Sequence, residues 1–519
     1  MPRTSQRAGA ATMVVNEGIA EAAQVSSPSA DFGDFDWKKQ WYPVAFDEYT
    51  EKEAPFAFTL LGERLVLWWD HKDGAWSAMR DVCPHRLAPL SEGRINDQGD
   101  IECPYHGWSF DGETGACTSI PQSSTPEKVS KDKRACGTAL HTALEQGIIW
   151  VWAEPIYPGQ KAPDPELIPI CPAFATEGVT TDDISVDIPY DYTLLLENVM
   201  DISHVPFTHH GTQGKRNFAR PINYKVKEAL KNSGFLVESA MEQPPALTTD
   251  STDKTAAVTV RPPSETFFRA PCYQHTKIQL KGLSLWIVTY AVPTIPGQCR
   301  LLARFPVAGL PKVAAKMRLL KPTFLRHMMR NQVLEDDNIF LHAQERELAI
   351  QLGGHLHTAT TLDGEPLKEA IKPGAWASAY YLATNADTPV VLWRRWLDRT
   401  APLPWAPGTP VAKYFDLTSE KERLLDRRKS HLNHCLSCQK AERMLKVVKV
   451  VVAAVAAALV LMSGAVLDSV VPSLSLLTKR LMTWVLLGIC GGAYFGLGIL
   501  QSRLVQGPYP PTRNLRSQR

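Results

Sequence analysis

The chain carries almost no net charge. Its 56 Lys and Arg stand against 54 Asp and Glu, a formal +2, so no global field favours nucleic acid. Cysteine is sparse as well. Ten are scattered over 519 residues, and no apolar secretory core leads them. That pattern disfavours a disulfide framework and points to metal or redox work. No internal repeat is visible. Long apolar runs are missing until the last part of the chain.

What is present suggests two or three domains plus some membrane-embedded chain, given the length and 44% hydrophobic content. Residues 1–35 are rich in Ala and Ser, with Arg3 and Arg7 early. They read as a transit peptide or a disordered terminus, Glu17 and Glu21 counting against the former. Residues 36–160 hold short strand-like runs such as FAFTLLG, RLVLWWD and GIIWVWAE, separated by Gly and Asp turns. They predict an all-β domain. A Pro-rich linker follows. Residues 181–430 mix strand-like GLSLWIVTYAVP with the helical run that starts at PKVAAKMRLL, predicting an α+β domain.

The end differs. Residues 447–467 hold a single charge, Lys449, and residues 481–500 hold none. Each run is long enough to cross a bilayer of about 20 residues' depth. Lys440, Arg443 and Lys446 precede the first, and Arg503, Arg513, Arg516 and Arg519 follow the second in a basic tail, 501–519. The positive-inside rule then places the large domains and the C-terminus on one side.

Two stretches carry the chemistry. The first is Cys83-Pro-His85, 17 residues, then Cys103-Pro-Tyr-His106. Structural zinc usually pairs its cysteines and its histidines separately. Here each half supplies one of each, which suits a [2Fe–2S] cluster with two thiolates on one iron and two imidazoles on the other. This stretch resembles the Rieske domain of the Rieske non-haem iron oxygenases. The second is Glu197-Asn198-x-x-Asp201-x-x-His204-x4-His209. Asp201 and His204 are spaced to share a helical face, and Pro206 can break the helix so that His204 and His209 converge. Two His with one carboxylate make the facial triad of Fe(II) oxygenases.

Together the two stretches resemble the catalytic core of that oxygenase family, whose α+β catalytic domain is helix-grip-like. The resemblance implies a [2Fe–2S] Rieske cluster on Cys83, His85, Cys103 and His106, and a mononuclear non-haem Fe(II) on His204 and His209. The third iron ligand is expected in NQVLEDDNIFLHAQE, which resembles the family's late helix. Asp337 is favoured and Asp336 is its rival, with Glu335 marking the alternative of a solvated acidic turn. The resemblance gives Asp201 the task of bridging a cluster histidine of a neighbouring subunit to an iron histidine, which implies a homotrimer.

Cys435-Leu-Ser-Cys438, in the segment 431–446, is open to three readings: a redox pair, zinc ligands together with His431 and His434, or inert thiols. A late C-x-x-C followed by two spans resembles the chloroplast group of these oxygenases. That group contains pheophorbide a oxygenase, the 55-kDa translocon-associated protein and protochlorophyllide-dependent oxygenase. The resemblance implies a monooxygenase in a chloroplast membrane, its large domains facing the stroma. It would take a chlorophyll-derived tetrapyrrole, O2 and electrons from ferredoxin, and most resembles the members that open the macrocycle of pheophorbide a. Protochlorophyllide a, a phyllobilin, or a role as redox-sensing translocon regulator are the alternatives. Thioredoxin acting on Cys435 and Cys438 as a redox switch is also implied. Lys38, Lys39, Arg86 and Arg94 are candidates for a ferredoxin-docking face.

Overall fold

The computed structural model describes residues 35–241, 263–354, 371–400, 403–414, 418–462 and 475–514. The N-terminal stretch expected to be a transit peptide or disordered lies outside these residues, except for Phe35.

The first domain is all-β. Six antiparallel strands form one sheet in the order Trp41–Phe46, Ile148–Pro155, Ala139–Glu145, Ala75–Arg80, Glu63–Asp70 and Phe56–Leu60. The first strand is buried along its whole length, so it reads as an unbroken apolar run rather than an alternating one. Gln146-Gly147 closes the hairpin between Ala139–Glu145 and Ile148–Pro155 with both φ angles positive, the geometry that matches strand twist. A second sheet of four short strands, Arg94–Ile95, Ile101–Glu102, Ser109–Phe110 and Cys117–Ser119, carries its own small core of Val66, Trp68, Met79, Ile101 and Phe110.

The second domain is built on an eight-stranded antiparallel sheet running from Asp183–Ile188 through Gln298–Arg304 and Leu283–Ile295 to Ile222–Lys231. Helices Tyr192–Met200 and Thr388–Thr400 pack together beside it. Nearly every residue of Tyr192–Met200 is buried. The two domains share one apolar core, reaching from Trp37 to Leu504. The joint is also hydrogen-bonded: Gly62 N donates to the Thr294 carbonyl at 2.7 Å, and the Trp37 indole to the Thr400 carbonyl at 2.7 Å.

The helical run starting at residue 311 is divided in two. Lys312–Leu319 ends before Pro322, which opens the 30-residue helix Thr323–Leu352. Proline lacks the N–H that a helix start leaves unpaired anyway. Gly353, at φ 75°, closes the long helix in the left-handed conformation. The inward stripe of this helix is polar: His327, Asn331, Glu335, Asn338, His342 and Glu345 recur every three or four residues and all are buried. Burying such a stripe costs free energy unless each group finds a partner.

Helices Leu436–Met462 and Leu476–Val505 pack on one another and are long and apolar enough to cross a membrane. Both start before the apolar runs do. Residues 463–467 of the first expected span lie outside the described residues. Lys449, its one charge, is satisfied within the hairpin by Gln501 at 3.4 Å and by the Tyr494 ring. The described chain beyond the second helix returns to the segment that precedes the first. Arg427 donates to the Arg503 carbonyl at 2.6 Å, and Gly507 N to the Leu425 carbonyl at 2.9 Å.

Candidate functional site

The first candidate site is a pair of matched loops. Cys83 N donates to the Ala88 carbonyl, and Leu87 N to the Cys83 carbonyl. Cys103 N donates to the Trp108 carbonyl, and Gly107 N to the Cys103 carbonyl, all at 2.8–3.0 Å. Each loop turns through a left-handed residue four places after its cysteine: Leu87 at φ 61° and Gly107 at φ 71°. Glycine takes that conformation freely and leucine does not, so the first loop stores strain that the second avoids. Both cysteines are buried. The two imidazoles lie outside them, 4.6 Å apart between ring centres, with His85 stacked on Trp108. Two inward thiols and two outward imidazoles are the donor set of a Rieske cluster.

The second candidate site joins two distant segments. Helix Tyr192–Met200 stops at Asp201, which is extended. The Asp201 carboxylate caps the turn, accepting from Ser203 N at 2.7 Å and from the Ser203 hydroxyl at 2.5 Å. The helix break therefore falls before His204. Pro206 does not make it; it sits in the first turn of the short helix Val205–Thr208, where its missing N–H is harmless. Asp201 and His204 consequently do not share a helical face, although His204 Nδ1 donates to the Asp201 carbonyl. That bond leaves Nε2 of His204 facing Nε2 of His209 at 3.3 Å.

The long helix supplies the carboxylates. Asp337 Oδ2 is 3.6 Å from Nε2 of His209, and its Oδ1 is buried with no hydrogen-bond partner. Burial raises the Asp337 carboxyl above its ordinary range, with His204 and His209 opposing. Ligand atoms of His204, His209 and Asp337 all lie within 4.8 Å of one another. A buried, unsatisfied carboxylate facing two imidazole nitrogens fits a two-His, one-carboxylate iron site. Asp336 lies behind the ring, 3.5 Å from Nδ1 of His209, and accepts from the Thr212 hydroxyl at 2.9 Å. His210 turns away and accepts from Arg216 N at 3.3 Å.

Several expectations are corrected. Glu335 is not part of a solvated turn: it is buried and grips the Arg427 guanidinium at 2.5 and 2.7 Å. Arg94 pairs with Glu102 across the small sheet at 2.7 and 2.9 Å, and its side chain stays 66% exposed. His434 does not join the cysteines. It is 36% exposed and lies 2.9 Å from Asp187, and His327 takes the place expected for it. Within the basic tail, Arg513 reaches the Asp336 carbonyl. Sequence reasoning missed Thr212, Arg513 and His327. The polar stripe of the long helix was the available signal for His327.

Residues 40–133 match the Rieske [2Fe-2S] domain, and residues 268–353 match the pheophorbide a oxygenase domain. The chain is 33% identical to pheophorbide a oxygenase, chloroplastic, of Arabidopsis thaliana, over 79% of this chain and 73% of that one. It is 32% identical to flavonoid 8-hydroxylase 2, chloroplastic, of Ocimum basilicum, over 78% and 74%. Identity is 30% to the protochlorophyllide-dependent translocon component 52, chloroplastic, of Arabidopsis thaliana, over 78% and 74%. Among solved structures, dicamba monooxygenase bound to dicamba superposes with a TM-score of 0.51 at 19% identity, over 70% of this chain and 97% of that one. That likeness concerns the fold.

Proposed function

Because the chain belongs to the pheophorbide a oxygenase family of Rieske non-haem iron oxygenases, we propose that it is a membrane-anchored monooxygenase of a chlorophyll-derived tetrapyrrole. The substrate we favour is pheophorbide a, opened at a meso carbon. Ferredoxin is the proposed electron donor, and the compartment a chloroplast membrane with the large domains in the stroma. The observation that carries the reading is the convergence of His204, His209 and Asp337 in a chain whose long helix lies within the matched pheophorbide a oxygenase domain.

Cys83, His85, Cys103 and His106 would hold the cluster, and His204, His209 and Asp337 the iron. When bound, these groups supply single-electron transfer and O2 activation. The residues around them orient the ligands. The Asp201 carbonyl fixes the tautomer of His204, and Asp336, held by Thr212, does the same for His209. The Asp201 carboxylate lies 4.0 Å from His204 Nδ1 and is 30% exposed at its side chain. It is thus accessible to a cluster histidine from a second subunit. That exposure supports the trimeric arrangement in which Asp201 links the two centres. Lys38, Lys39, Arg86 and Arg94 are the candidates for donor docking.

The near-equal identity to a flavonoid 8-hydroxylase makes a flavonoid the first competing substrate. Purified protein with reduced ferredoxin and 18O2 would be given pheophorbide a, protochlorophyllide a, a phyllobilin and a flavone separately. A ring-opened, singly labelled product from pheophorbide a is expected. Label on another substrate instead would replace the substrate and keep the oxygenase. No label from protein with full iron would favour the regulator.

A further inference from the structure

Away from the proposed iron site, a second set of ligating side chains converges in the core. His327 projects from the long helix, and His431, Cys435 and Cys438 come from the segment leading into the first membrane helix. All four are buried, and their ligand atoms lie within 4.8 Å of one another. His327 Nδ1 is 3.1 Å from His431 Nε2, 3.5 Å from Cys435 Sγ and 3.4 Å from Cys438 Sγ. His431 Nε2 is 3.3 Å from Cys438 Sγ. Bonds of about 2.3 Å to sulfur and 2.0 Å to nitrogen in a tetrahedron set the ligands roughly 3.3–3.8 Å apart. The observed edges fall close to that range.

Protons alone serve this group poorly. His431 Nδ1 donates to the Ser185 carbonyl at 2.7 Å, so its Nε2 presents a lone pair inward. That nitrogen and two sulfurs crowd His327 Nδ1, which carries one proton at most. One cation would satisfy all four inward atoms. Two thiolates would neutralise a divalent charge that the apolar surroundings could not otherwise hold.

We propose that His327, His431, Cys435 and Cys438 bind a structural zinc ion. Four protein ligands leave no open position, so the site is closed and does not turn over substrate. The Ser185 carbonyl orients His431 from behind, as outer partners of zinc ligands do. Cys438 lies in the first turn of Leu436–Met462, and His327 shares its helix with Asp337. The ion therefore fastens the membrane anchor to the helix that bears the proposed iron carboxylate. A disulfide between Cys435 and Cys438 would remove two of the four ligands and release the ion, so zinc binding and oxidation of this pair exclude one another. The assignment does not depend on the substrate.

The test is a metal count on the full chain in detergent, purified without a polyhistidine tag or chelator. One zinc per chain is expected beside the iron, with X-ray absorption showing two sulfur and two nitrogen neighbours. Cys438→Ser and His327→Ala should lose zinc, and His434→Ala should keep it. If those two variants fail to fold, wild-type protein titrated with a mercurial should release one zinc per two thiols. Wild-type protein with full iron but no zinc would overturn the proposal, whether Cys435 and Cys438 then alkylate freely or form a disulfide. Iron in this site in place of zinc would overturn the choice of metal. Zinc and iron are counted in the same sample, so the failure of either assignment is read separately.

Discussion

Asp336 and Asp337 are neighbours in the chain and meet opposite edges of one imidazole. Asp337 lies 3.6 Å from Nε2 of His209, and Asp336 lies 3.5 Å from its Nδ1. The helix brings one carboxylate to the front of the ring and the next to its back. Asp337→Ala should therefore lose the mononuclear iron and all turnover while the cluster keeps its visible spectrum. Asp336→Asn should keep the iron but bind it roughly 10–100-fold more weakly, the usual cost of losing an outer partner. Iron counts during chelator titration check both. The opposite pattern would exchange their roles.

Asp201→Asn separates ligand holding from coupling. The His204 tautomer is set by the Asp201 backbone carbonyl, which survives the change. Both metal centres and the oligomer mass should persist. Electron transfer between the centres in a single turnover should slow by about 10–100-fold. Rapid-mixing spectroscopy of the reduced cluster reads this directly, and an unchanged rate would remove Asp201 from the electron path.

Leu87 tests the matched loops. Its left-handed backbone costs about 1–2 kcal/mol, close to what glycine loses through its greater freedom when unfolded. Leu87→Gly should leave the cluster's thermal bleaching nearly unchanged. A β-branched residue is a genuine outlier at this φ, so Leu87→Val should bleach at lower temperature. Visible absorbance on heating compares the two.

Asp182 predicts an acid limb of stability. Three guanidiniums converge on it, from Arg318, Arg326 and Arg330, at 2.8–3.1 Å. Burial raises its carboxyl, but the arginines outweigh burial and hold it below the usual range. A depressed folded pKa gives stability that is present above the unfolded value, about 3.9, and lost as pH falls through the folded value. Asp182→Asn should cost on the order of 3 kcal/mol at neutral pH by leaving the arginines uncompensated. The gap in thermal midpoint should close as pH drops below about 4.

The parts of the site that lie close together in sequence were legible there. Cys83-Pro-His85, Cys103-Pro-Tyr-His106 and the His204–His209 spacing each fit inside one turn or loop, so local geometry constrains them. His327 was not legible: over a hundred residues separate it from the cysteines, and only the packing of the long helix against the segment before the membrane joins them. His434 was the nearer choice in sequence, but Asp187 takes it from a neighbouring strand. Arg94 looked free because its partner, Glu102, depends on strand register. The place of Pro206 was misread because proline ends a helix in its interior and starts one in its first turn.

The anchor is held at both of its feet. Before the first candidate membrane helix, Arg427 is gripped by Glu335; after the second, Gly507 reaches Leu425 and Arg513 reaches Asp336 on the long helix. A hairpin clamped this way is a pedestal, not a leash. With the two helices in a bilayer, as proposed, the second domain would keep one fixed side toward it and would not tumble above it. A substrate that partitions into that bilayer would meet the protein by diffusing within a plane, and its search would shrink from three dimensions to two.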